Sequence, residues 1–452
     1  MKQTIVAKLK LQTTPEQFQT LRQTQLAYRD ALNYVSTYAY EHGKMSNKVR
    51  LQDGTYREIR ARFKIPAQMA CSIPRQVGAT YKTLWTKVKK NAALRAAGLT
   101  KKRYKGLDGA PKYVSPTLTY QLGHDYSFKT DHRVSILTLA GRVVLPYTGY
   151  HDHVALIGQG TSIGTAQLCY DKAKKQFYLL VALSVEVADP APETLASIVG
   201  VDVGVRYLAV TSDTTGQASF HPGNRIVAQA NHYARLRKRL QQKGTRSATR
   251  RLVVTAGRER RLQAEANHVV SKRIVEQDPS SLIGLEDLTD IRERTRRRKH
   301  GKRASPRQRK ANAASSKWAF AELHSMIAHK AARAGSMTIK VDAHYTSKAC
   351  PICGHTADAN RRNRGLSFVC QVCHYTLHAD LVGARNITMR TLLVRQDWAS
   401  TGSLSVSPDA SDSEAKAARL ARYGSLCGGV QMQAPADRGV GFNRPLYRLP
   451  GR

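Results

Sequence analysis

Acidic residues are scarce in this chain of 452 residues: 32 Asp and Glu stand against 73 Lys and Arg, a formal charge of +41. Such an excess of one sign disfavours a compact state through self-repulsion unless a polyanion neutralises it. We expect that polyanion to be nucleic acid. A membrane surface is the weaker candidate, because the sequence contains no apolar run that approaches the roughly 20 residues of a spanning helix.

Cysteine is also infrequent, and its count of seven is odd. Four of the seven lie in two close pairs, which argues against a disulfide framework. The first residues, Met-Lys-Gln-Thr-Ile-Val-Ala-Lys, lack the apolar core of a signal peptide. Together these absences predict a reducing, cytoplasmic location rather than a secreted protein.

The sequence does contain two Cys-x2-Cys motifs between residues 350 and 373. Cys350 and Cys353 form the first motif, and Cys370 and Cys373 form the second after sixteen intervening residues. This spacing is typical of a zinc ribbon. Four thiolates close a tetrahedral shell around one zinc ion with no open position, so the predicted site is structural. In comparable small zinc peptides, bound zinc contributes about 10–16 kcal/mol to folding.

Two other interpretations of these motifs are open. The four cysteines are either reduced structural residues without a metal, or two redox pairs, and the paired spacing favours neither. Each Cys-x2-Cys motif is a cysteine knuckle. His355 and His374 each follow the second cysteine of a knuckle and are alternative zinc ligands. We expect them instead to be solvated neighbours of the site.

The first half of the chain changes from strand to helix and back to strand. Residues 4–10 alternate apolar and polar positions, which predicts one short strand. Thr14 followed by Pro15 is typical of a helix start, and residues 11–100 form a predicted helical insert. From residue 117 to 187 the pattern indicates several short strands with tight turns, which predicts a small barrel.

Three acidic residues of the second half lie where acids are costly. Asp202 lies within an apolar strand at 198–204, Glu286 ends the apolar run 282–285, and Asp380 starts the last helix. A carboxylate in an apolar strand is expensive unless it is paired or binds a metal ion. A buried ion pair with Lys or Arg is the alternative for each acid taken alone.

Taken together, the three acids predict a metal site. They can converge at one edge of a mixed sheet, where three carboxylates cannot all ionise without cations. Two magnesium ions about 3.5–4 Å apart would satisfy them, with Asp202 as the bridging ligand and Glu286 and Asp380 completing one shell each. Such a pair of ions suits phosphodiester hydrolysis. The nearby Asp287 and Asp290 are expected to be solvated or paired with Arg.

Two segments concentrate positive charge, and a third has little pattern. Residues 231–275 are predicted to be helical and basic, and residues 292–310 form a basic loop. Solvated surface is the usual role of such runs, but few acids are interleaved here, so we expect contacts with phosphate. Residues 395–452 are rich in Ser, Gly, Ala, Pro and Arg, which predicts a disordered tail.

The motifs around these acids resemble those of the TnpB (OrfB-type) proteins of insertion sequences. The resemblance is to that family's RuvC motifs I, II and III and to its zinc-bearing target-nucleic-acid-binding module. It is most specific over residues 198–390. The motifs read Gly200-Val-Asp202-Val-Gly204, Gly284-Leu-Glu286-Asp287-Leu288, Thr346-Ser347-Lys348 before the cysteine knuckles, and His378-Ala-Asp380 to Ala384-Arg-Asn386-Ile387.

The resemblance implies an RNA-guided DNA endonuclease related to the miniature type V CRISPR effectors. Its implied partners are a guide RNA and a target DNA, with no membrane, and it works as a monomer or a dimer. The implied cofactors are two magnesium ions at Asp202, Glu286 and Asp380 and one structural zinc ion. A prokaryotic cytoplasmic protein associated with the nucleoid is implied as well. Guide pairing would read the sequence while the protein reads a short motif beside the target.

The resemblance also implies a multidomain α+β architecture. An RNase H-like (RuvC) mixed α/β nuclease core carries a zinc-ribbon insertion and is joined to a small wedge-like β-barrel with a helical recognition insert. The implied boundaries are residues 1–10 and 105–190 for the barrel, 11–104 for the insert, 197–344 and 376–394 for the nuclease core, 345–375 for the zinc ribbon, and 395–452 for the tail.

Three further functions are open, and one departure from the family pattern bears on the first of them. The third motif commonly reads Asp-x-Asn-Ala-Ala-x-Asn, whereas this chain has Val382 and Gly383 in place of the Asn and first Ala. Loss of the Asn would weaken hydrogen bonding at the metal site and favours a nuclease-inactive, RNA-guided repressor. An RNase H-like transposase and an unguided zinc-ribbon DNA-binding protein are also compatible with the motifs. The three carboxylates remain, which favours the nuclease.

Overall fold

The structure, a computed structural model, describes residues 1–115, 117–159, 161–172, 174–289 and 319–401, without the side chains of Arg364 and residues 397–401. The predicted basic loop at 292–310 lies outside these residues. The chain divides into two compact units, Met1–Glu186 and Val187–Arg452. Within the described ranges, none of the helices is both long and apolar enough to cross a membrane.

The first unit combines a seven-stranded sheet with helices. Its elements follow the order β1 (Lys2–Leu11), α1 (Pro15–Glu41), α2 (Lys48–Phe63), α3 (Ala67–Ala96), β2 (Leu118–Tyr120), β3 (Tyr126–Lys129), β4 (Arg133–Thr138), β5 (Gly141–Thr148), α4 (His151–Gly158), β6 (Ser162–Asp171) and β7 (Gln176–Glu186). The antiparallel sheet has the strand order β2-β6-β7-β1-β5-β4-β3.

The sheet of the first unit curls into a nearly closed barrel, as the sequence predicts. Tyr126 on β3 donates its hydroxyl to the carbonyl of Gly164 on β6 at 2.6 Å, and Tyr120 on β2 donates to the carbonyl of Leu137 on β4 at 3.2 Å. These bonds join the two ends of the strand order. Along β1 every second residue is buried, from Ile5 to Leu11, so one face of the sheet forms the core.

The helices α1 to α3 lie between β1 and β2 in the sequence. The predicted start of α1 is confirmed: Thr14 accepts from the backbone N–H of Gln17 at 3.3 Å, and the Gln17 side chain accepts from the N–H of Thr14 at 3.0 Å. This reciprocal pair is a capping box. The helix α2 has no separate counterpart in the sequence prediction, because its buried stripe contains only Leu51, Thr55 and Ile59.

The second unit is a mixed sheet with helices on its faces and a small zinc-ribbon-like module. Its elements are β8 (Ser197–Asp202), β9 (Tyr207–Asp213), β10 (Ala218–Pro222), α5 (Asn224–Lys243), α6 (Arg246–Gln277), β11 (Ser281–Glu286), α7 (Phe320–Arg333), β12 (Met337–Val341), β13 (Arg361–Arg362), β14 (Ser367–Val369), β15 (Thr376–His378) and α8 (Ala379–Thr401). The main sheet has the order β10-β9-β8-β11-β12.

Strand direction in this sheet places the ends of β8, β11 and β12 together. These three strands are mutually parallel, whereas β9 is antiparallel to β8 and β10 to β9. The strand that follows Asp202 in the sequence therefore pairs antiparallel with the strand that carries it. Because neighbouring parallel strands share their direction, the residues that end them meet at one edge.

The helix α8 packs very closely on one face of the sheet. A Cβ atom added at Gly200 would lie 2.3 Å from the backbone nitrogen of Thr388, and one added at Gly284 would lie 1.8 Å from Oγ1 of Thr391. The Thr388 hydroxyl accepts from the N–H of Gly200 at 3.1 Å. Glycine at both strand positions is therefore what allows this approach.

The end of α8 extends the predicted nuclease core. The helix continues to Thr401, whereas the sequence predicts that the core ends at residue 394 and that a disordered tail begins at 395. Arg395 donates to the carbonyl of Glu193 at 3.0 Å, which fixes the helix beyond its apolar part. Residues 402–452 lie outside the described part of the chain. The other predicted domain boundaries remain predictions.

Candidate active site and metal centre

The helix α8 and the strands β8 and β11 determine where the three predicted acids lie. Side-chain alternation along the two strands decides which face of the sheet Asp202 and Glu286 occupy. Ile198 and Leu282 pack on the side of the sheet that meets Ile387 of α8. Side chains alternate between the faces of a strand, and Asp202 and Glu286 share the parity of Ile198 and Leu282. Both therefore point to the face that α8 covers.

Register brings the first two acids to the same end of neighbouring strands. Leu285 on β11 lies opposite Val201 on β8, so Glu286 and Asp202 follow at the same edge of the sheet. Asp380 lies in the first turn of α8. A Cβ atom added at Gly383, one turn further along α8, would lie 2.9 Å from Cγ and Oδ2 of Asp202. Asp202 therefore sits directly against the helix that carries Asp380.

The electrostatics of Asp202 show that the three acids interact. Burial, followed by the negative charges of Glu286 and Asp380, raises the pKa of Asp202 well above its ordinary value, and Arg361 opposes that rise. Burial also raises the pKa of Glu286, and a hydrogen bond from Thr346 partly offsets this rise. A cluster of this kind is ionised at neutral pH only if cations neutralise it.

The acids lie within electrostatic reach of one another without forming a compact ligand set. In the described part of the chain, the four knuckle cysteines are the one group of three or more candidate ligands whose ligand atoms all lie within 4.8 Å of one another. At least one distance among the carboxylate oxygens of Asp202, Glu286 and Asp380 is therefore longer. The donor set still suits magnesium, because carboxylate oxygens are the hard ligands that magnesium prefers.

Ion pairing explains only one of the three acids. Arg361 on β13 approaches Asp380 at 3.8 Å. Over the described ranges, Asp202 and Glu286 have no Lys or Arg partner within 4.0 Å. The nearby Asp287 pairs with Lys340 at 3.7 Å. Asp290 lies outside the described residues. The simplest alternative to a metal site, a separate ion pair for each acid, therefore does not describe this cluster.

Two neighbours that hold the acids were not assigned a role from the sequence. Thr346 donates its hydroxyl to Oε1 of Glu286 at 2.5 Å. His378 accepts at Nδ1 from the backbone N–H of Asp380 at 3.3 Å, at the start of α8. Thr346 belongs to one of the motifs that carry the family resemblance, so a signal for it existed. No sequence signal distinguished Arg361, which lies among other arginines.

The four cysteines meet as the zinc-ribbon spacing predicts. Sγ of Cys350 lies 3.5 Å from that of Cys373, and Sγ of Cys353 lies 3.5 Å from that of Cys370. A disulfide would bring two sulfurs to about 2.05 Å, so these are separate thiols. Sulfurs about 2.3 Å from one tetrahedral zinc ion lie about 3.8 Å apart, close to the separations seen here. The donor set therefore fits one structural zinc ion.

The two knuckles have matching backbone geometry. The N–H of Cys350 donates to the carbonyl of His355 at 3.0 Å, and the N–H of Cys370 donates to that of Tyr375 at 2.9 Å. Gly354 and His374 occupy equivalent left-handed positions, with φ of 74° and 58°. Neither His355 nor His374 joins the ligand group, so the predicted set of four cysteines is the one that the geometry favours.

Val382 packs against the zinc-ribbon-like module rather than towards polar groups. It is fully buried in an apolar cluster with Cys350, Phe368, Cys370 and Ala379. The departure from the family motif at this position therefore fills space between α8 and the cysteine knuckles.

The basic helices present an exposed cationic surface. On α5 and α6, Arg237 pairs with Glu259, which joins the two helices. Many other cations on these helices are exposed and have few acidic neighbours. They include Arg235, Lys238, Arg239, Lys243, Arg246, Arg250, Arg251, Arg258, Arg260 and Arg261. Such a surface suits contacts with phosphate.

Two known sequence families match parts of this chain. Residues 181–289, which carry Asp202 and Glu286, match the OrfB family described as "Probable transposase". Residues 320–387, which carry the cysteine knuckles and Asp380, match the family described as "Cas12f1-like, TNB domain". The resemblance to TnpB (OrfB-type) proteins is thereby confirmed, and the two matches together contain all three acids.

Individual relatives carry names of the same kind. The chain is 29% identical over 282 residues to InsQ of Escherichia coli strain K12, whose name describes an RNA-guided DNA endonuclease, covering 59% of this chain and 66% of InsQ. It is 27% identical over 254 residues to the CRISPR-associated endodeoxyribonuclease Cas12f1 of Sulfoacidibacillus thermotolerans, covering 50% and 53%. The matched segments thus span from about half to just under two thirds of these relatives.

Solved structures of CRISPR effectors are also similar. The structure of the mini-RNA-guided endonuclease CRISPR-Cas_phi3 covers 90% of this chain and 94% of its own, with a TM-score of 0.48 and 12% identity. The Cas12f1-sgRNA-target DNA complex covers 86% and 99%, with a TM-score of 0.35 and 15% identity.

Proposed function

We propose that this protein is an RNA-guided DNA endonuclease that hydrolyses phosphodiester bonds with magnesium beside a short motif in the target. The observation that carries the proposal is the meeting of Asp202, Glu286 and Asp380, far apart in the sequence, at one sheet edge under α8. Both relatives named as endonucleases support this activity and its substrate, DNA. The name of InsQ supports the guide RNA as a partner.

The proposed active site assigns a role to each acid. Asp202, between the other two, would hold both magnesium ions, and Glu286 and Asp380 would each complete one shell. Bound magnesium would supply a hydroxide equivalent and stabilise the charge on the leaving 3′ oxygen. Glu286 is the acid most removed from water at this edge, which strengthens the electrostatic contacts that it makes. Arg361 balances part of the negative charge at Asp380.

The proposed architecture follows from the same assignment. The second unit would be an RNase H-like (RuvC) nuclease core that carries the zinc-binding module at residues 345–375, and the barrel of the first unit would be the wedge domain with α1 to α3 as its recognition insert. The exposed cations of α5 and α6 would contact the phosphates of the guide or of the guide–target duplex.

The decisive test is to sequence the RNA that copurifies with the full-length protein and to cut matched DNA with the complex. We expect one defined RNA species, cleavage of a DNA that matches it only when magnesium and a flanking motif are present, and loss of cleavage in Asp202→Ala with target binding retained. Absence of a defined RNA would overturn the guided mechanism. Guided binding without cleavage by the native protein would indicate a repressor.

A transposase is the second candidate, because the matching OrfB family is described as one. A transposase would join DNA ends and bind terminal repeats, whereas a nuclease leaves unjoined products. Incubation with a labelled terminal repeat and a supercoiled acceptor plasmid separates the two activities. We expect cut but unjoined DNA. Recovery of joined strands that depends on Asp202 would favour the transposase.

A further inference from the structure

The loop between β12 and the first cysteine knuckle makes direct contact with the candidate active site. Thr346 in this loop is 4% exposed and Glu286 is 8% exposed, so both groups are removed from water. The hydroxyl of Thr346 lies 2.5 Å from Oε1 of Glu286 and 3.3 Å from the carbonyl of Ala343. Because the carboxylate is the nearer acceptor, the hydroxyl is its buried hydrogen-bond donor.

The position of Thr346 is itself determined by the helix that carries Asp380. Asn386 on α8 donates from its side-chain amide to the carbonyl of Thr346 at 2.6 Å and to that of Ala349 at 2.8 Å. Both ends of the short segment 346–349 are therefore attached to α8. The next residue is Cys350, the first of the knuckle cysteines.

A second anchor holds the beginning of the same loop. Arg390, also on α8, donates to the carbonyls of Asp342 and His344, the latter at 2.7 Å. Tyr345 has a φ of 60°, a left-handed conformation that is uncommon for a residue other than glycine. A loop held in such a conformation needs surrounding contacts to maintain it, and the α8 side chains supply them.

We propose that Thr346 is a positioning residue for Glu286: its hydroxyl, held by Asn386 and by the start of the zinc knuckle, fixes the rotamer in which the Glu286 carboxylate faces the Asp202–Asp380 edge. The proposal rests on the proposed function, since Glu286 is taken as a metal ligand. Because Thr346 contacts the Glu286 carboxylate, it would act through that acid. Partners of this kind commonly change metal affinity or activity by about 10- to 100-fold when removed.

The test compares two substitutions in the full-length, zinc-loaded protein. Thr346→Val removes the hydroxyl and keeps nearly the same volume, whereas Thr346→Ser keeps the hydroxyl. Thr376→Val is the matched control, because Thr376 is an exposed threonine on β15, directly after the same module, and its hydroxyl donates to the backbone carbonyl of His374. Zinc content and melting temperature should be the same in all variants that are compared.

The first measurement uses manganese ion alone as the probe and needs no catalysis. Titration calorimetry should show that Thr346→Val binds manganese about 10- to 100-fold more weakly than the native protein, that Thr346→Ser and Thr376→Val bind it normally, and that Glu286→Gln loses the binding. Native affinity in Thr346→Val would overturn the proposal. Manganese binding that is independent of Glu286 would overturn it as well.

The second measurement separates this proposal from the proposed function. With a matched guide and target, Thr346→Val should lower kcat and leave the KM for target DNA unchanged, and Thr346→Ser should restore kcat. If the native protein cuts no DNA while the manganese result holds, the proposed function fails and the positioning role stands. If the native protein cuts and Thr346→Val cuts equally well, the positioning role fails alone.

Discussion

The carboxylate of Asp202 lies so close to Gly383 that a methyl group on that glycine would be 2.9 Å from Cγ and Oδ2 of the acid. In this chain the glycine therefore belongs to the local geometry of the site: it leaves room for the Asp202 carboxylate between β8 and α8.

We predict that Gly383→Ala lowers cleavage while leaving the fold intact. The added methyl group would displace the Asp202 carboxylate, and displacements of about 1 Å at a reacting centre cost up to about 100-fold in rate. Guided cleavage measured under single-turnover conditions checks this. Gly257→Ala is the control, since its nearest neighbour outside the helix backbone is a side-chain nitrogen at 3.5 Å. Equal cleavage by Gly383→Ala and the native protein would contradict the crowding argument.

The raised pKa of Asp202 predicts a pH-dependent stability of the magnesium-free protein. Burial and the charges of Glu286 and Asp380 raise that pKa, so the native state keeps a proton that the unfolded chain has already released. The free energy of unfolding therefore falls as pH rises from the ordinary carboxyl pKa of about 4 to the raised value. Asp202→Asn has no carboxyl group to ionise at this position, so its free energy of unfolding does not fall in this way. The variant should therefore melt at a higher temperature than the native protein near neutral pH.

Thermal unfolding in zinc without magnesium, from acidic to neutral pH, measures this difference. The advantage of Asp202→Asn should shrink towards acidic pH, and magnesium should stabilise only the native protein. Glu265→Gln is the control, because it neutralises an exposed acid on α6. A constant difference in melting temperature across the pH range would show that Asp202 ionisation is not its source.

Removal of one knuckle cysteine should release zinc and unfold the module around it. Cys353→Ser leaves three sulfur ligands, and structural zinc sites contribute about 10–16 kcal/mol in small zinc peptides. We expect one zinc ion for each native chain by elemental analysis, less than one in Cys353→Ser, and a lower melting temperature. Cys71→Ser, which changes a cysteine outside the cluster, should keep both values. A full zinc content in Cys353→Ser would disprove the four-cysteine site.

The exposed cations of α6 should determine part of the salt dependence of RNA binding. Replacing Arg250, Arg251 and Arg258 by Gln should weaken binding of the copurified RNA. It should also reduce the slope of log K against log salt concentration by about 0.7 to 0.9 for each phosphate that the variant no longer neutralises. The variant with Lys at the same three positions keeps the positive charges, so its slope of log K against log salt concentration should stay close to that of the native protein. An unchanged slope in the Gln variant would place these arginines away from the nucleic acid.

Local patterns predicted the parts of this fold that depend on neighbours in the sequence. The alternation of residues 4–10 and the Thr14–Pro15 pair predicted β1 and the start of α1, because strand period and capping act over a few residues. The same alternation accounts for Asp202 and Glu286 facing one side of their strands. The spacing of Cys350, Cys353, Cys370 and Cys373 predicted the cysteine cluster for the same reason.

Features with a weak local signal were missed or misplaced. The helix α2 has a narrow buried stripe, so periodicity did not separate it from its neighbours. The predicted end of the nuclease core fell before the last turns of α8, since the anchor at that end is a contact from Arg395 to Glu193 rather than an apolar repeat. The role of Val382 in filling space beside the knuckles was likewise invisible in the motif itself.

The sequence by itself determined which residue types meet: soft thiolates in two knuckles, and three carboxylates on strands and a helix whose ends converge. Only the tertiary structure decided how they are held, through Gly200 and Gly284 beneath α8, Gly383 on α8, and Thr346 and Arg361 beside the acids. The physical reason is that these contacts join residues distant along the chain. Their distances depend on sheet order and on how closely one helix approaches it, and short-range sequence patterns encode neither.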